Sequence, residues 1–347
     1  TNSDSVVRSV RYRFIPRIDP DDDGADCENG RDTTIVIWVN PTPRIRGSAD
    51  TVICNGETAL VNINNPNDPI RGLWNYDLLV NAETQMSGES GSGTDLSALT
   101  LSENLTNNDT VAHYVDYTFT PKIYNDDGAV DACVNWDTTI RIWVNPTPEI
   151  RVSADTVICN GDTATISIRN PNNPSRGTWM YNLVVTADDE IDGESNDYIG
   201  TTIDILNETL TNNDTVVHKV EYHFIPWISP ADLGLECGSG RDTIITVWVN
   251  PTPEIRVQAD SVICSDGTAV INVANPNNPI RGSWTYDLVV TPDPGITGAS
   301  ARQAGITTAQ FNETLVNGTL EALKVEYHFT PWIHPDDLGA DCGGGRD

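Results

Sequence analysis

The fold class that this sequence predicts is all-β, with tandem immunoglobulin-like β-sandwich repeats arranged end to end. The first observation is a repeat: the motif Asn40-Pro-Thr-Pro43 returns at Asn145 and again at Asn250, 105 residues further on each time. The second is a period-two alternation of apolar and polar residues in segments such as Thr243–Val249. The third is the Gly, Asn, Asp and Pro residues that bound these segments.

The repeat frame divides the chain into four parts. We expect residues 1–43 to be the C-terminal part of a truncated repeat (the partial repeat), 44–148 and 149–253 to be full repeats (repeats 1 and 2), and 254–347 to be a repeat lacking its last strand (repeat 3). We therefore expect a window on a longer array. The strand-like segment Thr33–Asn40 of another molecule would complete repeat 3 by strand addition.

About seven strands are predicted in each repeat, which is the scale of an immunoglobulin-like sandwich. In repeat 2, strands are expected near Glu149–Cys159, Thr163–Arg169, Gly177–Val185, Val216–Trp227 and Thr243–Val249. The third strand carries a Trp in every repeat, which that fold would bury between its sheets: Trp74, Trp179 and Trp284. Another β-sandwich or a barrel with a core Trp is the alternative.

The Asn-Pro-Thr-Pro motif lies between the last strand of one repeat and the first strand of the next. Proline fixes φ and restricts the residue before it, so the connection is predicted to be short and stiff. Equal units on stiff connections make a rod, whereas Gly and Ser would have made a flexible linker.

These motifs resemble a known class of repeat. The Val-Asn-Pro-Thr-Pro ending, the Thr-Val-Ile-Cys-Asn-Gly start at Thr51 and the Tyr-x-Phe-x-Pro strand at Tyr222 are similar to PKD-like and immunoglobulin-like tandem repeats of Bacteroidota surface proteins. Many of those are adhesins or gliding-associated proteins exported by the type IX system. The resemblance implies a secreted protein at the bacterial cell surface that acts as a stalk, filament or adhesin.

The charge of the chain restricts its partners. The 50 acidic and 20 basic residues give a formal net charge of −30, so no nucleic-acid partner is expected, because phosphate binding needs clustered Lys and Arg. The longest apolar runs, such as Thr34–Val39, are far too short to span a bilayer, so this segment is not expected to insert into a membrane. The expected partners are further copies of the chain, upstream and downstream repeats, and surface glycans.

Seven cysteines recur along the chain and indicate an oxidising compartment. They are Cys27, Cys54, Cys133, Cys159, Cys237, Cys264 and Cys342. Three pairings are open, and free buried thiols are a further alternative. Pairing within a repeat gives Cys54–Cys133, Cys159–Cys237 and Cys264–Cys342; pairing by nearness gives Cys27–Cys54, Cys133–Cys159 and Cys237–Cys264; pairing between neighbouring repeats gives Cys54–Cys237 and Cys159–Cys342.

Strand length bears on this choice. In a seven-strand sandwich Cys159 ends the first strand and Cys237 precedes the last, at opposite ends of the repeat. A seven-residue strand spans roughly 23 Å, whereas bonded cysteines need Cα atoms within about 7 Å. We therefore favour the pairing between neighbouring repeats, which would also stiffen a rod.

Hydroxyl groups that follow Asp and precede a small or aliphatic residue resemble the O-glycosylation acceptors of Bacteroidota proteins. The candidates are Ser5, Thr33, Thr51, Thr110, Thr138, Thr156, Thr163, Thr215, Thr243 and Ser261. The alternative is that Asp-Thr starts strands after turns.

No cofactor is expected apart from a calcium candidate at Asp19, Asp21 and Asp23, where acidic residues precede Gly24. An exposed acidic turn is the alternative. No nucleophile elbow, phosphate loop or zinc spacing occurs, so no enzymatic activity is expected.

Two functions remain from the sequence, with an accessory module on a secreted hydrolase as a third. The first is a structural fibre or stalk. The second is an adhesin that binds a glycan or protein through Trp227 and Trp332, or through segments that differ between copies while keeping their length. Those variable segments are Glu83–Glu103, Asp188–Glu208 and Asp293–Glu313.

Overall fold

Every regular element of the described chain is a β-strand. The computed structural model describes residues 1–19, 21, 24, 27, 30–126, 132–230, 236–238, 240–336 and 340–343. Within these residues no helix is present, and none could cross a membrane. The all-β prediction is therefore confirmed.

The strands recur in the order of the sequence repeats. The partial repeat contains β1 (Arg8–Phe14) and β2 (Thr33–Val39). Repeat 1 contains β3 (Arg46–Ser48), β4 (Val52–Ile53), β5 (Thr58–Asn64), β6 (Leu73–Ala82), β7 (Met86–Ser87), β8 (Gly93–Leu96), β9 (Thr100–Asn104), β10 (Thr106–Asn107), β11 (His113–Tyr124), β12 (Cys133–Val134) and β13 (Thr138–Val144).

The next two repeats follow the same scheme. Repeat 2 contains β14 (Arg151–Ala154), β15 (Val157–Ile158), β16 (Thr163–Arg169), β17 (Thr178–Ala187), β18 (Ile191–Asp192), β19 (Tyr198–Thr201), β20 (Ile205–Thr209), β21 (Thr211–Asn212), β22 (His218–Ser229) and β23 (Thr243–Val249). Repeat 3 contains β24 (Arg256–Ala259), β25 (Gly267–Ala274), β26 (Ser283–Pro292), β27 (Ile296–Thr297), β28 (Gln303–Ile306), β29 (Gln310–Asn317) and β30 (Val325–His334).

Repeat 1 is a sandwich of two sheets, which is the immunoglobulin-like architecture that the sequence predicts. One sheet has the strand order β3-β5-β9, and the other has β4-β13-β11-β6-β8 with β12 beside β11. Alternate residues of β5 and β11 are buried and pack into one core. Successive side chains of a strand point to opposite faces of the sheet, so the apolar residues of the period-two pattern face the core and the polar residues face the solvent.

The first predicted strand of repeat 2 is in fact two strands. β14 pairs antiparallel with β16 in one sheet, while β15 runs parallel to β23 in the other sheet. The expectation of one continuous strand over Glu149–Cys159 was therefore wrong. The chain crosses from one sheet to the other at the Asp155-Thr156 dipeptide, which interrupts the apolar alternation.

The core is centred on tyrosines two positions after the predicted Trp. Tyr76, Tyr181 and Tyr286 are at most 1% exposed. Trp74 is 9% exposed, and Trp284 is partly buried against the core of repeat 3. Trp74 and Trp284 donate their indole N–H to the carbonyl oxygens of Arg44 and Glu254, 3.1 and 3.2 Å away. The predicted tryptophans thus lie where each repeat begins, and the tyrosines fill the middle.

The variable segments are built from short strands. In repeat 1, β7 pairs with β10, and β8 forms the edge of a sheet beside β6. In repeat 2, β20 lies at the end of the variable segment and pairs antiparallel with β16.

Two compact units are defined by the contacts of the chain. One comprises Thr1–Pro148, Asn172–Trp179 and Trp227–Ser239, and the other comprises Glu149–Pro171, Met180–Pro226 and Gly240–Asp347. Repeat 2 contributes segments to both units, so the repeat boundaries read from the sequence stay a prediction.

Candidate structural site: the joint between repeats

The Asn of each Asn-Pro-Thr-Pro motif binds the backbone of an Arg in the following repeat. Asn145 donates from Nδ2 to the carbonyl oxygen of Arg176 at 2.9 Å, and the Arg176 N–H donates to Asn145 Oδ1 at 2.7 Å. Asn250 makes the same pair of bonds with Arg281. Because Asn145 and Asn250 are 0% exposed, these bonds replace water that the amide groups would otherwise need.

The same Arg stacks on the Trp of the preceding strand. The guanidinium carbon of Arg176 lies 3.4 Å from the ring centroid of Trp143, and that of Arg281 lies 3.8 Å from Trp248. Arg71 and Trp38 are 4.4 Å apart. Cation–π contacts of this kind contribute about 0.5 to 2 kcal/mol each. Every joint is therefore held by a Trp and an Asn from one repeat and an Arg from the next.

A second buried Asn, in the following repeat, binds backbone groups of the preceding repeat. Asn277 donates from Nδ2 to the carbonyl oxygens of Thr215 and Thr252 at 3.0 and 3.1 Å, and its Oδ1 accepts from the Glu254 N–H at 2.5 Å. Asn172 binds the carbonyl oxygens of Thr110 and Thr147 in the same way. One side chain thus connects two segments of one repeat to a loop of the next.

The loop that carries this Asn also makes a backbone bond across the joint. The N–H groups of Ala112 and Val217 donate to the carbonyl oxygens of Pro174 and Pro279 at 2.9 and 3.0 Å. The peptide bond before each of these prolines is cis. The stiffness that the sequence predicts from proline is therefore supplemented by a hydrogen-bonded loop.

Two disulfides connect neighbouring repeats. Cys54 is bonded to Cys237 and Cys159 to Cys342, each with a Cα–Cα distance of 5.3 Å and a sequence separation of 183. This is the third of the three pairings open from the sequence. The pairings within a repeat and by nearness do not form.

A long strand brings the second cysteine to the joint. β22 continues to Ser229, and an antiparallel bridge pairs its residue Ile228 with Cys237. Cys54, Ile228 and Cys237 form a small buried cluster, and the ring of Trp179 packs against it. Trp179 therefore lies beside the disulfide and not at the centre of the sandwich.

The remaining described cysteines are free thiols. Cys27 and Cys264 are exposed, and Cys133 is half-buried. Each of them corresponds in the repeat to a cysteine that is disulfide-bonded in another copy.

A buried glutamate fixes each variable segment to its sandwich. Glu103 is 1% exposed and accepts bonds from the Ser90 N–H and hydroxyl, both at 2.6 Å. Ser195 binds Glu208 in the same way in repeat 2. Burial first, and then the Glu103 carboxylate, raise the pKa of the neighbouring Tyr117 phenol far above its ordinary value. The segments that vary in sequence are therefore anchored at one shared point.

The O-glycosylation candidates all reach the surface. Six are exposed and four are half-buried: Thr33, Thr51, Thr110, Thr156, Thr163 and Ser261 are exposed, whereas Ser5, Thr138, Thr215 and Thr243 are half-buried. Their glycosylation stays a prediction, which the intact mass of the secreted protein tests.

The calcium candidate lies partly outside the described residues. Asp19 and Asp21 are described and exposed, whereas Asp23 is not among the described residues. Calcium binding stays a prediction, and calorimetric titration with calcium tests it.

Trp227 and Trp332 are half-buried. The six-membered ring of Trp332 lies so close to Gly343 that a Cβ atom at that position would be 2.2 Å from it. This face of Trp332 is therefore covered by its own chain and is closed to a sugar.

The buried asparagines and glutamates were not predicted from the sequence. Their recurrence at a spacing of 105 residues, inside apolar or turn segments, was the sequence feature that could have indicated them. These residues are Asn67, Asn172 and Asn277, and Glu103, Glu208 and Glu313. In repeat 2 the segment Asn170-Pro-Asn-Asn-Pro174 has the composition of a turn, which gives no indication that Asn172 is buried.

Comparisons with known proteins give only distant structural likenesses. No protein-family model matches the sequence, and no curated protein matches it. The FN1–FN3 domains of chicken CNTN1 have a TM-score of 0.28 and 13% identity, covering 87% of this chain and 96% of theirs. An ectodomain fragment of ICAM-5 has a TM-score of 0.32 and 11% identity, covering 96% and 80%.

Invasin, described as a bacterial integrin-binding protein, is similar at a TM-score of 0.26 and 13% identity, covering 84% of this chain and 57% of its own. Scores at this level carry no argument about function. The sandwich architecture rests on the strand topology of the chain itself.

Proposed function

We propose that this chain is an extracellular structural protein whose repeats form a rigid stalk, fibre or filament at a cell surface. The observation that carries this proposal is the joint, which uses the same Trp, Asn and Arg three times. In the joints after repeats 1 and 2, two buried asparagines each, Asn145 with Asn172 and Asn250 with Asn277, resist bending, because any opening would break the hydrogen bonds of these buried amides. Such a connection suits a protein that transmits force or holds something at a distance.

The disulfides support an extracellular location. Disulfides persist in oxidising compartments and are rare in reducing ones. Each cross-link closes a separation of 183 residues, so it holds two repeats together even when one of them opens. A mechanical role is consistent with that placement.

Electron microscopy of the purified chain tests the proposal. We expect straight particles of uniform width in which successive repeats do not bend against one another. Beads that adopt many relative orientations from particle to particle would contradict it. Images taken after reduction serve as the control for the contribution of the disulfides.

A second function, glycan adhesion, is favoured by one observation. The Trp136 side chain is 88% exposed. It borders a cleft of about 600 Å³ that Arg44, Arg46 and Asn64 also line. An exposed aromatic ring beside polar side chains is a suitable platform for a sugar. Adhesion is supported if the native chain binds to a glycan array, Trp136→Ala loses that binding, and Leu79→Ala, on an exposed strand face, keeps it. A native chain that binds no glycan on the array would refute it.

A further inference from the structure

One cleft of repeat 1 contains residues that the other copies lack. It is the cleft of about 600 Å³ beside Trp136, and Arg44 and Asn135 also line it. At the position of Arg44, repeats 2 and 3 have Glu149 and Glu254. At the positions of Asn135 and Trp136, every other copy has Gly-Arg: 30–31, 240–241 and 345–346. Three positions that line one cleft therefore depart from the repeat together.

In repeat 2 two of these positions form an ion pair. Arg241 Nη1 lies 3.3 Å from Glu149 Oε1, and the two residues are joined by a parallel β-bridge. In repeat 1 the acid is replaced by Arg44 and the base by Trp136, so this pair cannot form. Within the part of the chain that the structure describes, neither Arg44 nor Arg46 takes part in an ion pair. Both guanidinium groups are therefore available to a ligand.

The two arginines share the outer face of the sandwich with an amide. Burial alternates along this segment: Ile45 is 8% exposed, whereas Arg44 and Arg46 on either side of it are exposed. Residues two apart in an extended chain point to the same side. Arg46 lies opposite the exposed Asn64 of β5, so their side chains are cross-strand neighbours. All three residues line the cleft.

The loop that carries Trp136 is fixed beside Arg44. Asn135 donates from Nδ2 to the carbonyl oxygen of Pro43 at 2.8 Å. The glycine that other copies have in place of Asn135 has no side chain to make this bond. The Trp136 side chain is 88% exposed, so its ring is accessible although its loop is held.

The exposure of Trp136 follows from its position in the repeat. The Arg241 side chain, at the same position in repeat 2, is 81% exposed although all of repeat 1 precedes it in the chain. The aromatic ring of repeat 1 thus occupies a position at which the repeat presents a side chain to solvent.

The cleft favours an anionic ligand. Its charged lining residues are Arg44, Arg46 and Asp137. The Asp137 carboxylate already accepts a hydrogen bond from the Thr120 hydroxyl at 2.6 Å. Two guanidinium groups therefore stand against one carboxylate, on a chain whose formal net charge is −30. The acidic remainder of the surface repels the same ligand, which directs it to this cleft.

We propose that this cleft binds a sugar residue that carries a carboxylate, either a hexuronic acid or a nonulosonic acid. The planar donors of Arg44 and Arg46 match a carboxylate, and the C–H face of the sugar ring packs on the ring of Trp136. The amide of Asn64 is placed to bind a hydroxyl group. The volume lies within the range of roughly 300 to 1,000 Å³ that is typical of small-ligand sites. This inference rests on the second proposed function, glycan adhesion, and names its ligand class.

Isothermal titration calorimetry of the whole chain tests the ligand class. The probes are oligogalacturonate and oligosialic acid, with three controls: the methyl ester of oligogalacturonate, a sulfated dextran oligosaccharide and oligoglutamate. We expect binding of at least one acidic sugar, and binding at least about tenfold weaker for each control. Which of the two acidic sugars binds identifies the hexuronic or the nonulosonic acid.

Each contrary outcome has a separate meaning. Equal binding of oligoglutamate would show that charge alone is recognised, and equal binding of the sulfated sugar would refute the carboxylate; either result overturns the inference. Equal binding of the methyl ester would also overturn it but leave glycan adhesion intact. Binding of none of the sugars, with no binding to a glycan array, would refute adhesion itself.

Variants that take residues from repeat 2 test the site. Arg44→Glu and Trp136→Arg each place at the cleft the residue that repeat 2 has there, so both should fold. We expect each to weaken binding of the acidic sugar at least about tenfold. Because Trp136→Arg adds a positive charge, equal or tighter binding by this variant would refute the role of the ring.

Arg151→Glu is the matched control. It makes the same change of charge at an exposed position of repeat 2, outside the cleft, and should leave binding unchanged. A loss of binding equal to that of Arg44→Glu would overturn the proposal. The double variant Arg44→Glu/Trp136→Arg carries the ion-pairing residues of repeat 2. It should unfold at the denaturant concentration of the native chain and bind no acidic sugar, and native-like binding by it would refute the site.

Discussion

Two asparagines per joint determine how one repeat is held to the next. Asn277 has three hydrogen-bond partners, one at Thr215 and two in the Thr252–Glu254 connection, and is 0% exposed. Removing its amide takes the side-chain partner from two carbonyl oxygens and one N–H of half-buried residues, and each such group that stays unsatisfied costs about 1 to 3 kcal/mol. A side chain that looks like part of a turn therefore contributes more than most of the apolar side chains around it.

Replacing Asn277 with Ala tests this directly. We expect Asn277→Ala to destabilise the joint locally by about 2 to 4 kcal/mol, and the Glu254 amide, which donates to Asn277, to exchange with solvent correspondingly faster. Hydrogen exchange followed by mass spectrometry measures it. Asn272→Ala, at an exposed position of β25, is the matched control and should change exchange at Glu254 little. Equal effects of the two substitutions would contradict the role of the buried amide.

The pKa of His113 is raised by two neighbouring carboxylates and can be measured. Its Nδ1 lies 2.7 Å from Glu83 Oε2 and its Nε2 lies 3.0 Å from Asp109 Oδ2. Burial acts to lower the pKa of His113, but the bonds to Asp109 and Glu83 outweigh it and raise the pKa above 6.5. Its stabilising effect is therefore full below the unfolded pKa and is lost as the pH rises through the folded value.

A proton NMR titration of the imidazole measures this pKa. We expect a value above 6.5 for His113 in the native chain and a lower value in Glu83→Gln, which keeps an acceptor oxygen but removes the charge. A native value at or below 6.5, or no change in the variant, would show that the two carboxylates do not act on the ring.

At the scale of elements, the length of β22 and the bridge between Ile228 and Cys237 determine the disulfide pairing. Because Cys237 is carried back along the strand by its bridge to Ile228, it meets Cys54 of the preceding repeat. Closing a long loop stabilises a fold by about 2 to 5 kcal/mol, mainly by restricting the unfolded chain.

Peptide mapping without reduction tests the pairing. We expect only Cys54–Cys237 and Cys159–Cys342 in the monomeric chain. The double variant Cys54→Ser/Cys237→Ser should unfold at a lower denaturant concentration, because its free energy of unfolding falls by about 2 to 5 kcal/mol. Cys27→Ser, at an exposed free thiol, should change the free energy of unfolding very little. Bridges within one repeat, such as Cys159–Cys237, would contradict this placement.

Period-two alternation and the repeat made most elements predictable from the sequence. Thr163–Arg169 and Thr243–Val249 were predicted with the bounds that β16 and β23 have. The division of the first strand into β14 and β15 was not predictable, because alternation identifies a strand but not the sheet it joins. The joint was predicted only through its prolines, since nothing local distinguishes a buried Asn from an exposed one in a turn.

For the whole molecule, the account is that repeats are fixed to one another at every joint. The net charge of −30 keeps such chains apart laterally, because like-charged surfaces repel.

The distance distribution between neighbouring repeats tests the central claim most directly. Leu79 on β6 and Val184 on β17 occupy equivalent places in repeats 1 and 2 and are 51% and 41% exposed. Spin labels introduced there as unnatural amino acids leave all cysteines intact. Pulsed electron paramagnetic resonance should give one narrow distance distribution, which broadens in Asn145→Ala/Asn172→Ala. A broad distribution in the native chain, unchanged by these substitutions, would contradict the account.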